Sequence, residues 1–308
     1  MADRNIRILG IDTSNYTTSA AVVENGAVMQ NLKLPLPVKE GERGLRQSDA
    51  VFAHIKNLPQ IMPEVKAGFD AIAVSAYPRD CEGSYMPCFL AGEAAAVTAA
   101  SAAGVPLYRF SHQAGHIRAA VYSSGHNELV GSEFLAFHVS GGTTELLYVN
   151  GEKIELLGGT LDLNAGQVID RTGVKLGLKF PCGRELEKLA SEGKSPYKPQ
   201  ISVKNFGCNL SGVENKVNEM LAQGISQNDI AAYVFDFIGR TLERLTENAL
   251  NLHPGLPVLY AGGVMSNKLM RKRLTDKFTA YFAEPEFSSD NACGTALLCY
   301  DALTAGGN

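Results

Sequence analysis

Long apolar runs are missing from this 308-residue sequence. No stretch reaches the ~18 consecutive apolar residues that read as a membrane-spanning helix, which argues against an integral membrane protein of the helical type. The N-terminal sequence MADRNIRILGID has charges on both sides of a short apolar run and lacks the pattern of a secretion signal. We therefore expect a cytoplasmic protein without membrane association.

Paired cysteines are also missing. The six cysteines are spread along the chain, and none of them forms a C-x-x-C pair. In a chain of this length, that distribution predicts reduced and mostly buried thiols rather than a disulfide framework.

An excess of charge of one sign is absent as well. The chain has 28 Lys and Arg against 32 Asp and Glu, for a net charge of −4. This balance excludes a generally basic nucleic-acid binder but is compatible with a local basic patch. With 45% hydrophobic and 19% charged residues, the chain is not disordered and can bury a core. At about 150 residues per domain, its length predicts two domains.

Strand-like and helix-like segments alternate in two similar halves, which indicates an α/β protein with mixed sheets. The segments TTSAAVVENG (17–26) and TTELLYVNG (143–151) share threonines, an apolar run and an Asn-Gly turn. We interpret them as a duplicated hairpin that opens each of two α/β lobes, although two unrelated hairpins would give a similar pattern. The first lobe is predicted at 1–113 with 290–308, and the second at 114–289.

The phosphate-binding sequences of two common nucleotide folds are absent. The chain has no G-x-x-x-x-G-K-[ST], and no G-x-G-x-x-G follows a strand. Three polar or glycine turns instead follow apolar strands, where backbone amides and hydroxyls could meet phosphate. They are Asp12-Thr13-Ser14, Ser140-Gly141-Gly142-Thr143 and Ala261-Gly262-Gly263-Val264. Each alone would be an ordinary tight turn. Their order is similar to that of the actin/sugar-kinase/heat-shock ATPase (ASKHA) superfamily, which implies two lobes around a nucleotide cleft.

His112 and His116 stand four residues apart in SHQAGHIRAAVYS, so a helix would carry both imidazoles on one face. This spacing suits metal ligands, and two partly exposed histidines at a helix start are the alternative. A zinc-protease motif would need glutamate where the chain has Gln113, so that motif's general base is absent. Asp290, predicted to open the last helix, is a candidate third ligand or an ordinary N-cap.

Six ordered segments give the chain a resemblance to the TsaD/Gcp family, which makes the threonylcarbamoyladenosine modification of tRNA and was formerly called a glycoprotease. The resemblance runs nearly from end to end. The matching segments are ILGIDTSNYTTSAAVV, SHQAGHI, HVSGGTTELLYV, DLNAGQVIDRTGVKLGLKFPCG, LYAGGVMSNKLMR and FSSDNACGTA.

This resemblance implies one divalent metal, iron or zinc, held by His112, His116 and Asp290. It also implies contacts to an adenine nucleotide or to the substrate threonylcarbamoyl-AMP, from His138, Val139, Ser140, Gly141, Gly142, Asp170, Gly183 and Asn267. The acceptor would be the adenosine beside the anticodon of tRNAs that read A-starting codons. TsaB-like and TsaE-like proteins would be helpers, and a homodimer or heterodimer is compatible with the family. The metal would polarise the carbamoyl group as a Lewis acid.

The chain departs from the family pattern where that pattern carries charge. The family's SCDET turn has an acidic pair implicated in catalysis, and Tyr16 and Thr17 stand at those positions. The family's GPG loop is replaced by YPRDCEGSYMP, and the histidine of its SGGHT turn is replaced by Thr143. Further along, the chain has Leu163 and Gln167 where the family has acidic residues, and Glu214 where it has a basic one.

These departures leave two main functions open. The first is metal-dependent threonylcarbamoyl transfer to tRNA, with Asp80, Glu82 or Glu93 as a substitute carboxylate or merely as solvated charges. The alternative is a divergent paralogue that binds nucleotide and metal as a scaffold or regulator. A small-molecule kinase of the ASKHA type is less favoured, because no general-base Asp stands at a recognisable position. Since Tyr16 and Thr17 are not carboxylates, we expect slow or absent transfer by the chain alone.

Overall fold

The computed structural model describes residues 5–37, 45–66 and 68–305. The strands within these ranges are β1 (Arg7–Asp12), β2 (Thr17–Glu24), β3 (Ala27–Pro35), β4 (Ala71–Tyr77), β5 (Leu107–Ser111), β6 (Glu133–Val139), β7 (Thr144–Asn150), β8 (Lys153–Thr160), β9 (Ser202–Lys204), β10 (Gly207–Asn209), β11 (Val258–Ala261) and β12 (Ala280–Phe282). The helices are α1 (Gln47–Ile61), α2 (Phe89–Ala103), α3 (His112–Ser124), α4 (Ala165–Lys175), α5 (Gly183–Glu192), α6 (Gly212–Ala222), α7 (Gln227–Leu252), α8 (Lys268–Thr275) and α9 (Cys293–Ala305).

Two mixed sheets confirm the predicted α/β class. The five strands of the first sheet, β3-β2-β1-β4-β5, have the same order and directions as β8-β7-β6-β11-β12 of the second. One sheet runs β3-β2-β1-β4-β5, and the other runs β12-β11-β6-β7-β8-β10-β9. In the first, β1 pairs antiparallel with β2, and parallel pairing continues through β4 and β5. In the second, β6 pairs antiparallel with β7, and parallel pairing continues through β11 and β12. The shared order favours a duplicated hairpin over two unrelated ones.

The turns of the two hairpins differ by one residue. In the first, Asn25 and Gly26 form the turn between β2 and β3 with φ of 49° and 78°. This is the left-handed backbone that Asn-Gly turns require. In the second, Asn150 is the last residue of β7, and Gly151, with φ of 59°, begins the turn. The predicted Asn-Gly turn is therefore confirmed in the first hairpin and displaced by one residue in the second.

The chain divides into two compact units, residues 1–123 with 286–308 (unit 1) and residues 124–285 (unit 2). In unit 1, Leu9 and Ile11 of β1 share a core cluster with apolar residues of α2. Ile8 points to the opposite face and packs with Ala296 and Leu297 of α9. This alternation is that of a strand covered on both faces. The lobe limits and the cleft expected from the sequence stay predictions.

A large hydrophobic core holds unit 2 together. The 26-residue helix α7 buries a long apolar stripe that includes Val234 and Leu242. This stripe belongs to one cluster with Leu135 and Phe137 of β6. Because β6 and β11 are parallel neighbours, the turns that follow them lie at the same edge of the sheet.

Some predicted elements are wrong in their extent. The segment YFAEPEF (281–287) has the pattern of a last strand, but the observed strand β12 ends at Phe282, and a short 3-10 turn follows at 285–287. The last helix, expected from Asp290, begins at Cys293. The short strands β5, β9 and β10 were not expected, because runs of three to five residues carry little periodic signal.

The expectation of reduced, mostly buried thiols is confirmed. All six cysteines are free, and Cys81 is the exposed one. Burial raises the pKa of the Cys293 and Cys299 thiols to about 12, so both stay protonated near neutral pH. Across residues 5–37, 45–66 and 68–305, none of the helices combines the length and apolar character needed to cross a membrane.

Candidate functional site

Helix α3 carries the predicted histidine pair at its start. His112 is its first residue, and His116 lies one turn later, with the two ring centroids 4.2 Å apart. Both side chains are largely buried, at 12% and 11% exposure. The Nε2 atoms of His112 and His116 lie 3.5 and 3.3 Å from Oδ1 of Asp290. The predicted convergence of these three residues is present within unit 1.

Gly115 and Gly294 allow α3 and α9 to approach closely enough for this convergence. A Cβ on Gly294 would lie 1.7 Å from the carbonyl oxygen of Gly115, so the helices cross with backbone against backbone. Below Asp290, a Cβ on Gly10 of β1 would lie 2.5 Å from the carbonyl oxygen of Ala292. A side chain at Gly294 would push α9 away from α3, and a side chain at Gly10 would push the segment around Ala292 away from β1.

Polar contacts fix the segment that carries Asp290. Lys33 of β3 donates from Nζ to the Glu286 carbonyl at 2.6 Å and to the Ser289 hydroxyl at 3.0 Å. The Asn291 amide donates to the carbonyl of Ser289, while its Oδ1 accepts from the backbone N–H of Cys293. Asn291 therefore leads into α9, and the alternative of Asp290 as an ordinary N-cap is wrong.

Asp12 lies behind His112 at the end of β1, with 1% of its surface exposed. Its Oδ2 bonds to Nδ1 of His112 at 2.8 Å and accepts from the Ser75 hydroxyl at 2.6 Å. Its Oδ1 accepts from the backbone N–H and the hydroxyl of Ser14. Ser75 also bonds to the Thr295 hydroxyl at 2.9 Å, which joins the group to α9. Asp12 thus directs the Nε2 of His112 towards Asp290.

Two carboxylates determine the charge balance of this group. Burial alone would lower the pKa of His112, but the Asp12 and Asp290 carboxylates raise that pKa to about 10. Burial would raise the pKa of Asp290, but hydrogen bonds and charge from His112 and His116 lower it. Two ionised carboxylates therefore surround the imidazoles, and they stabilise positive charge at this position.

The donor set fits a divalent transition metal. One ligand atom from each of His112, His116 and Asp290 lies within 4.8 Å of the others. Ligand atoms that each lie about 2.0–2.2 Å from one shared ion are separated from one another by a distance close to the 3.3–3.5 Å observed between the imidazole nitrogens and Oδ1 of Asp290. The bond from His112 to Asp12 is the outer-sphere carboxylate contact that orients histidine ligands. Two imidazoles and a carboxylate suit iron or zinc.

The predicted first phosphate turn uses its side chains internally. Thr13 donates to the carbonyl of Cys88 at 2.9 Å and accepts from the N–H of Gly92. Ser14 donates to Asp12, and all three side chains are buried. The backbone N–H of Ser14 is also used, since it donates to Asp12, and a phosphate contact at Asp12-Thr13-Ser14 stays a prediction.

In unit 2, the two other glycine turns lie side by side. His138 of β6 is in register with Ala261 of β11, so the turns after these strands are neighbours. Gly262 has φ of 98°, and a Cβ there would lie 2.2 Å from the Val139 carbonyl oxygen. Around Gly141 and Gly142, by contrast, an added Cβ would have no neighbour within 4 Å among the residues that the structure describes. These two glycines leave open space beside the turn.

Asp170, Gly183 and Asn267 are joined by contacts between their helices. Oδ1 of Asp170 on α4 accepts from the backbone N–H of Cys182, just before Gly183. Glu187 on α5 accepts from the N–H of Lys268 at 2.7 Å, just after Asn267. Burial raises the pKa of Asp170, partly offset by the Cys182 hydrogen bond.

Asn267 carries a buried polar atom without a partner. Its Oδ1 caps α8 by accepting from the N–H of Met270 at 3.0 Å. Its Nδ2 is buried and has no hydrogen-bond partner among the described residues, and the residue as a whole is 4% exposed. Buried amide donors are rarely left unsatisfied, so this atom fits a position that a ligand acceptor completes.

Comparison with known proteins agrees with these observations. A model of the family described as "TsaD: tRNA N6-adenosine threonylcarbamoyltransferase" matches residues 53–297. The chain belongs to the TsaD family. A tRNA N6-adenosine threonylcarbamoyltransferase of Desulfitobacterium hafniense is 34% identical over 293 residues, which is 89% of this chain and 84% of that protein. Transferases of the TsaD family are therefore similar to this chain over most of its length.

Solved structures confirm the ASKHA-type fold. HypF from T. kodakarensis aligns with a TM-score of 0.62 at 15% identity, covering 98% of this chain and 48% of that one. The activator of 2-hydroxyisocaproyl-CoA dehydratase from Clostridium difficile, solved with bound ADPNP, aligns with a TM-score of 0.55 at 12% identity. It covers 98% of this chain and 97% of that one. At these identities the likeness concerns the fold alone.

At two positions where the chain departs from the TsaD pattern, the residue that is present makes a defined contact of its own. Gln167 accepts from the backbone N–H of Asn164 through Oε1 at 3.1 Å, so it stabilises the start of α4. Glu214 pairs with Arg171 of α4 at 3.4 Å. Tyr16, in place of an acidic residue, is 45% exposed.

Sequence patterns did not identify Lys33 and Thr295 as part of the cluster's surroundings. For Ser75 there was a signal, because it is a serine inside the apolar strand AIAVSAY.

Replacing Gly294 with alanine is expected to disturb the histidine and carboxylate cluster. Because its Cβ would overlap the Gly115 carbonyl, α3 and α9 must separate, at a cost of about 1–3 kcal/mol of unfolding free energy. Urea unfolding measures the cost, and elemental analysis of the purified variant measures the bound metal. Gly212→Ala is the matched control, since a Cβ on Gly212 has no neighbour within 4 Å. Equal stability and metal content in both variants would contradict the crossing argument.

Proposed function

We propose that this chain catalyses threonylcarbamoyl transfer to adenosine in tRNA, with one divalent iron or zinc ion bound by His112, His116 and Asp290. The observation that supports this most directly is the meeting of these three side chains, with Asp12 orienting His112. When bound, the metal supplies Lewis-acid polarisation of the carbamoyl oxygen. The protein holds the ligands in a buried setting, where electrostatic interactions are stronger than in water.

The residues of unit 2 are proposed to hold the adenylate part of threonylcarbamoyl-AMP. Gly141 and Gly142 leave room for a phosphate to approach the backbone. Asn267 offers an unpaired amide donor. Oδ1 of Asp170 accepts from the Cys182 N–H, and the other carboxylate oxygen is proposed to accept from a ribose hydroxyl. The proposal extends to His138, Val139, Ser140 and Gly183, which neighbour these groups along the chain.

A non-catalytic scaffold is the second candidate, because Tyr16 and Thr17 replace the acidic pair of the TsaD motif. Both candidates bind metal and nucleotide, so binding cannot separate them. The test is mass spectrometry of cognate tRNA after incubation with the chain, threonylcarbamoyl-AMP and TsaB-like and TsaE-like helper proteins. Threonylcarbamoyladenosine in the tRNA supports the transferase. Its absence, with metal and adenylate bound, supports the scaffold.

Asp170→Ala is expected to weaken adenine-nucleotide binding by about 1.5–3 kcal/mol, since a hydrogen bond from ribose to a charged group is lost. Isothermal titration calorimetry with ADP gives the affinity. Asp276→Ala, which removes an exposed carboxylate of unit 2, is the control and should bind like the unchanged chain. Because Asp170 also bonds to Cys182, a thermal unfolding curve must accompany the titration. Equal ADP affinity in a folded Asp170→Ala variant would remove Asp170 from the site.

A further inference from the structure

The loop between β4 and α2 is attached to both sides of His112. The Pro78 carbonyl accepts from the N–H of Gln113 at 3.0 Å. Asp80 accepts from the hydroxyl of Ser111, the residue before His112, at 2.5 Å. Where the loop meets α2, the ring of Phe89 contacts the imidazole of His112 edge-on, with centroids 6.0 Å apart. The loop therefore lies directly beside the candidate metal ligands of unit 1.

Internal hydrogen bonds hold this loop in shape. The N–H of Arg79 donates to the Ser84 hydroxyl at 2.8 Å, and the N–H of Ser84 donates to the Cys81 carbonyl at 3.2 Å. The loop lines an open cavity of about 590 Å³. Its lining includes Tyr77, Asp80, Glu82 and Tyr85.

The lining chemistry suits a flat base that carries an amino group. Tyrosine rings stack on nucleobases of any kind, and carboxylates accept hydrogen bonds from exocyclic amines. Tyr85 is 63% exposed, so its ring is free to meet a ligand. Asp80 accepts from Ser111 and Tyr77, which uses two of about four acceptor positions of a carboxylate. The remaining positions are available to a bound amine.

Among the three carboxylates that the sequence offered as substitutes, Asp80 is the one bonded next to a candidate metal ligand. Glu93 pairs with Arg109 at 2.7 Å, and its second oxygen is buried. Glu82 lines the same cavity as Asp80 and is exposed as well, but Asp80 is the one with a hydrogen bond to Ser111. Asp80 is thus the one of the three that is bonded to the residue before His112.

We propose that this cavity receives the adenine of the acceptor RNA and that Asp80 takes the proton of its exocyclic amine. This inference rests on the proposed transfer function. The amine nitrogen forms a bond to the carbamoyl carbon, and the bond from that carbon to the adenylate phosphate oxygen breaks. AMP leaves with the electron pair of the broken bond, and the amine proton passes to Asp80.

Binding of two RNA stem-loops tests the cavity without turnover. One stem-loop carries the acceptor adenosine, and the other carries purine riboside there, which lacks the amine. The unchanged chain is expected to prefer the adenosine RNA by about tenfold, as a hydrogen bond to a charged group allows. Asp80→Ala should lose the preference, and Asp49→Ala, an exposed carboxylate of α1, should keep it. No preference in the unchanged chain, or an intact preference in Asp80→Ala, would overturn the assignment.

Single-turnover transfer separates this inference from the proposed function. Asp80→Asn keeps the size of the side chain and an acceptor for Ser111 but is a much weaker base. Its transfer rate is expected to fall about 10²–10⁴-fold, with adenylate affinity unchanged. If the unchanged chain transfers and Asp80→Asn is equally fast, the role of Asp80 is refuted while the transferase stands. If the unchanged chain makes no product but the RNA preference depends on Asp80, the transferase is refuted while the cavity stands.

Discussion

A variant with both His112→Ala and His116→Ala is expected to bind no stoichiometric metal. The change removes two of three ligands and leaves Asp290 as a single carboxylate, which holds iron or zinc weakly. Elemental analysis of the purified chain after dialysis against iron or zinc gives the metal content per chain. Transfer to tRNA should fall to background in the same variant, because polarisation of the carbamoyl oxygen is lost.

His253→Ala is the matched control for the histidine pair. His253 lies in unit 2 and stacks on Tyr148 with ring centroids 4.2 Å apart, and it is no part of the cluster. This control should retain one metal ion per chain. One metal ion per chain in the double variant would show that the three residues are not the binding site.

Asp12→Ala is expected to reduce both stability and metal affinity. The substitution leaves Ser14, Ser75 and His112 without their buried acceptor, and breaking a buried charged pair costs about 3–5 kcal/mol. Loss of an outer-sphere carboxylate should weaken metal binding about 10–100-fold. Urea unfolding measures the first effect, and competition with a chromophoric chelator measures the second.

The controls for Asp12 separate positioning from general destabilisation. Asp12→Glu keeps the carboxylate, so it should recover part of the metal affinity if orientation of His112 is the role. Asp49→Ala removes an exposed carboxylate of α1 and should change the free energy of unfolding by less than about 1 kcal/mol. A loss below 1 kcal/mol in Asp12→Ala, with unchanged metal affinity, would contradict the account of this network.

Local sequence patterns were sufficient for much of the fold. The apolar run AIAVSAY predicts β4 with its observed limits, and the spacing of His112 and His116 predicts one helical face. The start of α9 was missed, because Asn291 rather than Asp290 bonds to the first helical N–H. The local pattern around His112 and His116 does not show that Asp290, far along the chain, completes a cluster with the two histidines.

The supporting contacts of the cluster could not be read from the sequence because they join distant segments. Ser75 meets Thr295 across 220 positions, and Lys33 reaches Ser289 across 256. Only the packing of α9 against β1 brings such residues together, through Gly10 and the Gly115–Gly294 crossing. The hydrogen bond from Ser111 to Asp80 could not be predicted from the sequence either, because the loop that contains Asp80 departs from the TsaD pattern.

The metal dependence of threonylcarbamoyl transfer tests the central claim most directly. The chain is stripped with a chelator and assayed on cognate tRNA with threonylcarbamoyl-AMP and the helper proteins, before and after addition of iron or zinc. We expect slow formation of threonylcarbamoyladenosine that appears only after the metal is restored and is absent from the His112→Ala, His116→Ala variant. Equal product from the stripped chain, or none from the reloaded chain, would contradict a transferase built on His112, His116 and Asp290.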